Sequence, residues 1–217
     1  AIKELPSPPE TSTTPDGSPF TPEMRQQLHT VFSRMECPLH LALSLDERPV
    51  SAELERFMTE LTGMTDKLTM QVAERSASSQ EAPCVRVCQQ DGTPTRLAFH
   101  GVPGGHEFTS FVLGLYNAAG PGQALDAETK RAIIALTKPV HMKLLVSLSC
   151  TMCPDLVVAA QHIAALNPQV TAEVYDLAHF EQLKNRYQVM SVPCLIVNDD
   201  QVTFGKKNIQ QLLALLS

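Results

Sequence analysis

The chain has 217 residues, of which 43% are hydrophobic, and this length allows one large domain or two of about 100 residues each. Its net charge is −6 with no basic cluster, so we expect neither nucleic acid nor an anionic membrane surface as a partner. No apolar run approaches the roughly 20 residues of a bilayer span, and no signal-peptide pattern opens the chain. Six cysteines are too few for a disulfide scaffold of this length. We therefore expect a soluble, cytoplasmic protein in which one cysteine pair cycles.

Residues 1–20 differ from the rest of the chain, because they are rich in proline, serine and threonine and carry hardly any apolar side chains. Such a segment cannot bury enough surface to fold, so it is predicted to be an extended linker or tail. The chain starts at Ala1 rather than at a methionine. Either it is an excised piece with another domain upstream of the linker, or an initiator methionine has been removed.

Residues 21–121 are predicted to form one α/β unit that begins and ends with a helix. Apolar side chains recur three or four residues apart in its helices and alternate in its strands. The elements are a helix from Thr21, strand Leu39 to Leu45, a helix that ends at Gly63, a strand with Leu68, Met70 and Val72, strands Cys84 to Cys88 and Arg96 to Phe99, and a helix from His106 to Ala118.

Residues 122–217 are predicted to form a similar unit. The elements are a helix from Asp126 to Thr137, strand Val140 to Leu148, a helix after Cys153, strand Val170 to Tyr175, a helix from His179 to Tyr187, strands Cys194 to Val197 and Val202 to Phe204, and a helix from Asn208 to Leu216. An internal repeat of this kind indicates a duplicated fold.

Two short segments align the halves. Ser44–Val50 lies over Ser147–Cys153, and Ala82-Pro83-Cys84 lies over Val192-Pro193-Cys194. The first half has Glu47 and Val50 where the second half has Cys150 and Cys153. Only the second half can therefore perform thiol chemistry at this position.

The motif Cys150-Thr151-Met152-Cys153 stands where an apolar strand turns into a helix. Free N–H groups and the positive dipole at the start of a helix stabilise a thiolate, and the thiolate is the attacking species in disulfide exchange. We therefore expect Cys150 to be the nucleophile and Cys153 the resolving thiol.

A metal site is the main alternative, in which Cys150 and Cys153 bind zinc or an iron–sulfur cluster and the protein is a scaffold. Cys84 and Cys88 could supply a second pair. They read as parts of one strand, however, where positions four apart lie about 13 Å from each other. They can then neither bridge each other nor bind one tetrahedral ion without a bulge. A structural C-x-x-C without reactivity is a further alternative.

Several segments from Thr21 to Ser217 are similar to one known family. They are Gly105-His106-Glu107-Phe108-Thr109-Ser110, Ser149-Cys150 with Cys153-Pro154-Asp155, Ala164-Ala165-Leu166-Asn167-Pro168 and Val189-Met190-Ser191-Val192-Pro193. Together they resemble the tandem thioredoxin-fold module at the N-terminus of the bacterial alkyl hydroperoxide reductase flavoprotein. The resemblance implies an α/β protein in which two tandem thioredoxin-like folds, at 21–121 and 122–217, pack as one unit, with central mixed sheets flanked by helices.

The same resemblance implies a dithiol–disulfide oxidoreductase that relays electrons from a flavoprotein disulfide reductase to a peroxiredoxin or another disulfide protein. No G-x-G-x-x-G motif follows a strand. FAD and NAD(P)H are therefore expected on the reductase partner or on a domain upstream of residues 1–20, and not on this chain. A disulfide isomerase is disfavoured, because Glu47 and Val50 leave the first half without a motif.

The resemblance also implies roles for single residues. Glu107 is the acidic residue that the first half supplies beside the disulfide, where it takes a proton from Cys153 if burial raises its pKa. Without the resemblance, Glu107 reads equally well as a carboxylate at a helix start.

The remaining expected site residues contact the substrate. Thr151 and Met152 lie between the thiols, and Pro193 is expected in the cis form, with the backbone of Val192 pairing with a substrate strand. Cys194, which follows this proline, is either a buried small side chain or a third thiol near Cys150.

Overall fold

The computed structural model describes residues 17–217. Its helices are α1 Pro22–Arg34, α2 Pro49–Thr62, α3 Phe108–Ala119, α4 Ala127–Ile134, α5 Cys153–Leu166, α6 Glu181–Arg186 and α7 Ile209–Leu216. Its strands are β1 Leu39–Leu45, β2 Leu68–Arg75, β3 Cys84–Gln89, β4 Pro94–His100, β5 Val140–Val146, β6 Val170–Asp176, β7 Cys194–Val197 and β8 Gln201–Phe204. Two 3-10 turns, Gly105–Glu107 and Leu177–His179, precede α3 and α6.

The described residues begin inside the predicted linker, at Gly17. Of that segment, residues 1–16 lie outside the described residues. The side chain of Phe20 is 1% exposed. Its ring centroid lies 4.9 Å from that of Phe57 and 5.8 Å from that of Phe108. Phe20 therefore joins the first half to the packed core just before α1.

The eight strands form one mixed sheet in the order β2-β1-β3-β4-β6-β5-β7-β8. Within each half, the first two strands are parallel and the other contacts are antiparallel. The halves meet where β4 pairs with β6 in parallel. The predicted α/β class and the mixed sheets with flanking helices are confirmed, and the two central sheets are continuous.

The halves differ by one helix. Between β2 and β3 the chain forms turns over residues 76–83, whereas α6 lies between β6 and β7. Helix α6 packs over a small second core on one face of the sheet, where Leu145, Phe180 and Ile196 lie. The first half has no helix at the equivalent position, so the repeat is incomplete by one element.

Helix α5 packs against β4, β5, β6 and the helices α3, α4 and α7. Its apolar side chains are therefore buried around most of its circumference. Helix α3 approaches α5 closely at Gly114. A Cβ atom at this position would lie only 2.8 Å from Oε1 of Gln161. In return, the Gln161 Nε2 donates to the carbonyl oxygen of Ser110, 2.8 Å away. This contact fixes the start of α3 against the helix that begins at Cys153. No helix among residues 17–217 has the length and apolar character to cross a bilayer.

A buried carboxylate joins the halves at the β4–β6 seam. Glu173 is 7% exposed, and its oxygens accept from His100 Nε2 at 3.0 Å, His141 Nε2 at 2.5 Å and Arg86 Nη1 at 3.1 Å. Burial opposes its charge, but the two histidines and Arg86 hold the pKa of Glu173 well below its usual range.

His100 is charged in this cluster. Its Nδ1 donates to the Glu81 carbonyl oxygen at 2.8 Å while Nε2 faces Glu173, so both ring nitrogens act as donors. Burial alone lowers the pKa of His100, but Cys84 and Glu173 raise it to about 9.

Replacing Glu173 with glutamine is expected to lower the free energy of unfolding by about 3 kcal/mol, because it leaves buried positive charge without its partner. This value is at the low end for a buried pair, since Arg86 and His141 keep part of their side chains in solvent. Urea denaturation near pH 6 measures this. His100 stabilises the wild type fully below pH 6.5, and this contribution is lost as pH rises through about 9, so the pH dependence should flatten in the variant.

Glu81→Gln is the matched control. Glu81 pairs with the same Arg86 at 2.8 Å, but its side chain is 54% exposed. Its replacement should cost less than about 1 kcal/mol. Equal effects of the two substitutions would contradict a stabilising role for the buried cluster.

Candidate active site

The two thiols of the motif lie at the start of α5. A loop leads from the end of β5 to Cys150, and the backbone N–H of Cys150 donates to the Ser147 carbonyl oxygen at 3.0 Å. Cys150 and Cys153 form a disulfide with a Cα–Cα distance of 5.6 Å. Cys150 is partly exposed, whereas Cys153 is fully buried. Only Cys150 is therefore accessible to another protein.

The loop before β7 forms one wall beside Cys150. The Val192–Pro193 peptide bond is cis, as predicted, and the Cys150 Sγ lies 4.0 Å from the Val192 carbonyl oxygen. Pro193 is buried and Val192 is partly exposed. The backbone of Val192 is thus placed at the accessible sulfur.

Exposed side chains lie between the two cysteines and in the loop before Pro193. Thr151 and Met152 are exposed, with Met152 at 53%. Met190, which the sequence did not single out as a contact, is 85% exposed. Exposed methionines adapt to irregular apolar surfaces, so these two side chains suit contact with a partner protein.

Glu107 comes from the first half and is held beside the active-site loop. It ends the turn Gly105–Glu107, which packs against α5, and the backbone N–H of His106 donates to the Leu148 carbonyl oxygen at 2.9 Å. Gly105 has φ +52°, and a Cβ atom there would lie 2.7 Å from that same carbonyl oxygen. Only glycine allows this close approach without a shift of the backbone.

The Glu107 carboxyl group has an unusual environment. Its residue is 0% exposed; Oε2 accepts from the Ser110 hydroxyl at 3.0 Å, and Oε1 has no hydrogen-bond partner within residues 17–217. Burial raises the pKa of Glu107 to about 7, while the Ser110 hydrogen bond opposes this rise. The side chain does not cap α3. The geometry therefore argues against a helix-capping role for this side chain.

Known proteins share both the fold and the sequence pattern of this chain. A family model described as "Thioredoxin domain" matches residues 140–217. The alkyl hydroperoxide reductase AhpF of Pseudomonas aeruginosa is 31% identical over 191 residues, which cover 88% of this chain and 36% of that protein. The solved N-terminal domain of AhpF of Enterococcus faecalis is 34% identical with a TM-score of 0.85, and the match covers 91% of this chain and 100% of that one. The chain belongs to the family of AhpF N-terminal domains.

The match concerns one part of these AhpF proteins, because the chain spans about a third of the length of the curated relatives that it matches. A protein disulfide oxidoreductase of Aeropyrum pernix is 20% identical with a TM-score of 0.76, and the match covers 90% of this chain and 91% of that one. At that identity, the similarity shows a common fold.

In the first half of this AhpF family member, an arginine side chain occupies the position that corresponds to the disulfide. Arg48 aligns with Thr151, and its guanidinium donates to the carbonyl oxygens of Ala82 and His179 at 2.8 Å each. The Ala82–Pro83 bond is cis, like the Val192–Pro193 bond. The edge beside the first cis proline is therefore occupied by the protein itself.

Cys194 lies on the other face of the sheet from α5. It is fully buried with Leu145, Phe180 and Ile196, whereas Cys150 and Val192 pack against the main core. Burial raises the pKa of Cys194 to about 11. Of the two alternatives for this residue, the structure favours the buried small side chain. Cys37, Cys84 and Cys88 are also free thiols.

The described residues offer no cluster of side chains that would complete a metal site at Cys150 and Cys153. Between residues 17 and 217, no group of three or more histidine, cysteine, aspartate or glutamate side chains could hold a metal ion. Cys84 and Cys88 both lie on β3, as predicted. A zinc or cluster site at Cys150 and Cys153 would need ligands from elsewhere.

Two residues that position the site were missed by the sequence interpretation. They are Ser110, which contacts Glu107, and Gln161, which holds the backbone of Ser110. The spacing of three residues between Glu107 and Ser110 at a helix start was a usable signal for the first contact. The contact between Gln161 and Ser110 joins the two halves of the chain, so no local sequence pattern predicts it.

Proposed function

We propose that this chain is a thiol–disulfide relay that takes electrons from a flavoprotein disulfide reductase and passes them to a peroxiredoxin or another disulfide protein. The observation that carries the proposal is the asymmetry of the disulfide: Cys150 is accessible beside Val192, while Cys153 is buried at the start of α5. Helix α5 packs against the turn that supplies Glu107. A nucleophile needs access to a partner, whereas a resolving thiol needs access only to the nucleophile.

Electron transfer to the acceptor takes two steps. The Cys150 thiolate attacks one sulfur of the acceptor disulfide, which forms a mixed disulfide and releases one acceptor thiolate. Cys153 then loses its proton to the Glu107 carboxylate and attacks the Cys150 sulfur. This restores the Cys150–Cys153 disulfide and releases the second acceptor thiolate, so the relay is oxidised by two electrons and the acceptor is reduced by two.

Reduction of the relay reverses these steps. A donor thiolate attacks Cys150, and Cys153 leaves as a thiolate that the protonated Glu107 neutralises. The second thiolate of the donor then attacks the donor sulfur of this mixed disulfide, which oxidises the donor and releases the Cys150 thiolate. With a pKa of about 7, Glu107 is present in both forms near neutral pH, so it suits both directions. FAD and NAD(P)H would be held by the reductase, whether that is a separate protein or another domain. A reducing cytoplasm suits such a cycling pair.

The direct test mixes the protein, reduced and freed of reductant, with one equivalent of an oxidised peroxiredoxin and traps the thiols with an alkylating reagent. We expect the peroxiredoxin to gain two thiols while the relay loses two, as mass spectrometry of both proteins would show. The donor side is tested with NADPH and a flavoprotein disulfide reductase. Failure of the reduced protein to transfer electrons to any protein disulfide would overturn the proposal, and stoichiometric bound zinc or iron that blocks thiol titration would favour the metal alternative.

A further inference from the structure

The Ser110 hydroxyl has two acceptors in reach. Its Oγ lies 3.0 Å from Oε2 of Glu107 and 2.9 Å from the backbone carbonyl oxygen of the same residue. A hydroxyl has one proton to donate and two lone pairs that accept. It can therefore donate to only one of these oxygens at a time, and it keeps the ability to accept.

Donation to Oε2 fits both states of the carboxyl group. When Glu107 is ionised, the Ser110 proton points to Oε2, which is then a charged acceptor. When Oε1 carries a proton, Oε2 is still an acceptor, although a weaker one, so the contact with Ser110 is kept.

Ser110 is itself held rigidly. It is 1% exposed, and its backbone carbonyl oxygen accepts from Gln161 on α5. Helix α5 also carries Cys153 at its first position. One helix thus fixes the resolving cysteine and, through Gln161, the residue that contacts the carboxyl group. Gly114 makes room for the Gln161 side chain between α3 and α5.

We propose that Ser110 is a positioning residue, which holds Oε2 of Glu107 in both protonation states and leaves Oε1 as the oxygen that exchanges a proton with Cys153. This inference rests on the proposed relay function for the role of the proton. The unpartnered state of Oε1 agrees with it, because within residues 17–217 the carboxyl group has its hydrogen bond at Oε2 and leaves Oε1 free to exchange a proton.

The inference is tested first without any partner protein. The Glu107 carboxyl carbon is followed by NMR during a pH titration of the oxidised protein. In this form Cys150 and Cys153 carry no titrating proton. His106, in the same turn, is the nearest other titratable side chain in sequence. Ser110→Ala removes the donor to the carboxylate, so the titration midpoint should rise by about one pH unit. Ser110→Thr keeps a hydroxyl and should restore the midpoint to within about a third of that shift.

Ser51→Ala is the matched control. Ser51 is 2% exposed and donates to the Asp46 carboxylate at 2.7 Å in the first half, so the variant also loses a serine–carboxylate contact. It should leave the Glu107 midpoint unchanged. A Ser110→Ala midpoint equal to that of the wild type, or a shift shared by Ser51→Ala, would overturn the inference.

A second measurement connects Ser110 to the chemistry. The pH profile of mixed-disulfide resolution should move to higher pH in Ser110→Ala by the same amount as the NMR midpoint, and Ser110→Thr should restore it. A slower rate with an unmoved profile would indicate a merely structural role and contradict the positioning role. Because the NMR titration needs no electron donor or acceptor, its result stands even if the relay function itself fails.

Discussion

Replacing Cys153 with serine is expected to convert the protein from a relay into a trap for its acceptor. Cys150 remains accessible and still attacks the acceptor disulfide, but no second thiol resolves the mixed disulfide. A covalent complex should accumulate when the reduced variant meets an oxidised peroxiredoxin, and it should be visible by non-reducing electrophoresis and mass spectrometry. Turnover in the coupled assay should fall by at least about 10³-fold.

The companion variant separates the roles of the two thiols. Cys150→Ser leaves the buried Cys153 as the single thiol of the motif, and its burial prevents contact with another protein. This variant should form no covalent complex and transfer no electrons. A complex that forms equally with Cys150→Ser would show that the roles of nucleophile and resolver have been assigned to the wrong cysteines.

Cys194→Ser is the control for a third thiol. Cys194 is buried on the opposite face of the sheet from α5, so it should take no part in exchange. The double variant Cys153→Ser/Cys194→Ser should trap the acceptor as well as Cys153→Ser alone. Loss of trapping in the double variant would instead place Cys194 in the reaction.

The sequence predicted the strands well because their patterns are local. The alternation of Leu39 to Leu45 is matched by alternating burial along β1, and β7 has the predicted bounds. Strand geometry also explains the position of Cys194, which the sequence had left open. Successive side chains point to opposite faces of a sheet, so Cys194 and Leu195 must face different cores.

The candidate site was predictable only in part. Cys150 and Cys153 follow from their spacing at a helix start, whereas the placement of Glu107 depended on a family resemblance, because it comes from the other half of the chain. The Arg48 contacts had no sequence signal. They depend on how the turn before α6 lies against the first half, and no periodicity encodes such a tertiary arrangement.

Replacing Glu107 with glutamine is expected to slow the resolving step by about 10²-fold near neutral pH, because an amide cannot take the proton of Cys153. The rate in the variant should rise with pH as the unassisted Cys153 thiolate becomes populated, whereas the wild-type rate levels off above about pH 7. Stopped-flow measurement of mixed-disulfide decay tests both statements. Glu47→Gln, an exposed carboxyl group at the position equivalent to Cys150, should behave like the wild type.

The same substitution should alter stability in the opposite sense to activity. The folded pKa of Glu107 is about 7 against an ordinary value of 4.5, so its neutral form stabilises the fold below pH 4.5, and this contribution is lost as pH rises through about 7. Between pH 5 and 8 the free energy of unfolding of the wild type should therefore fall by about 2–3 kcal/mol, whereas that of Glu107→Gln should not show this fall. Urea denaturation at these two pH values tests this, and parallel losses in both proteins would contradict a raised pKa. A carboxyl group that costs stability at neutral pH while it speeds proton transfer is the expected consequence of burying Glu107 beside a working disulfide.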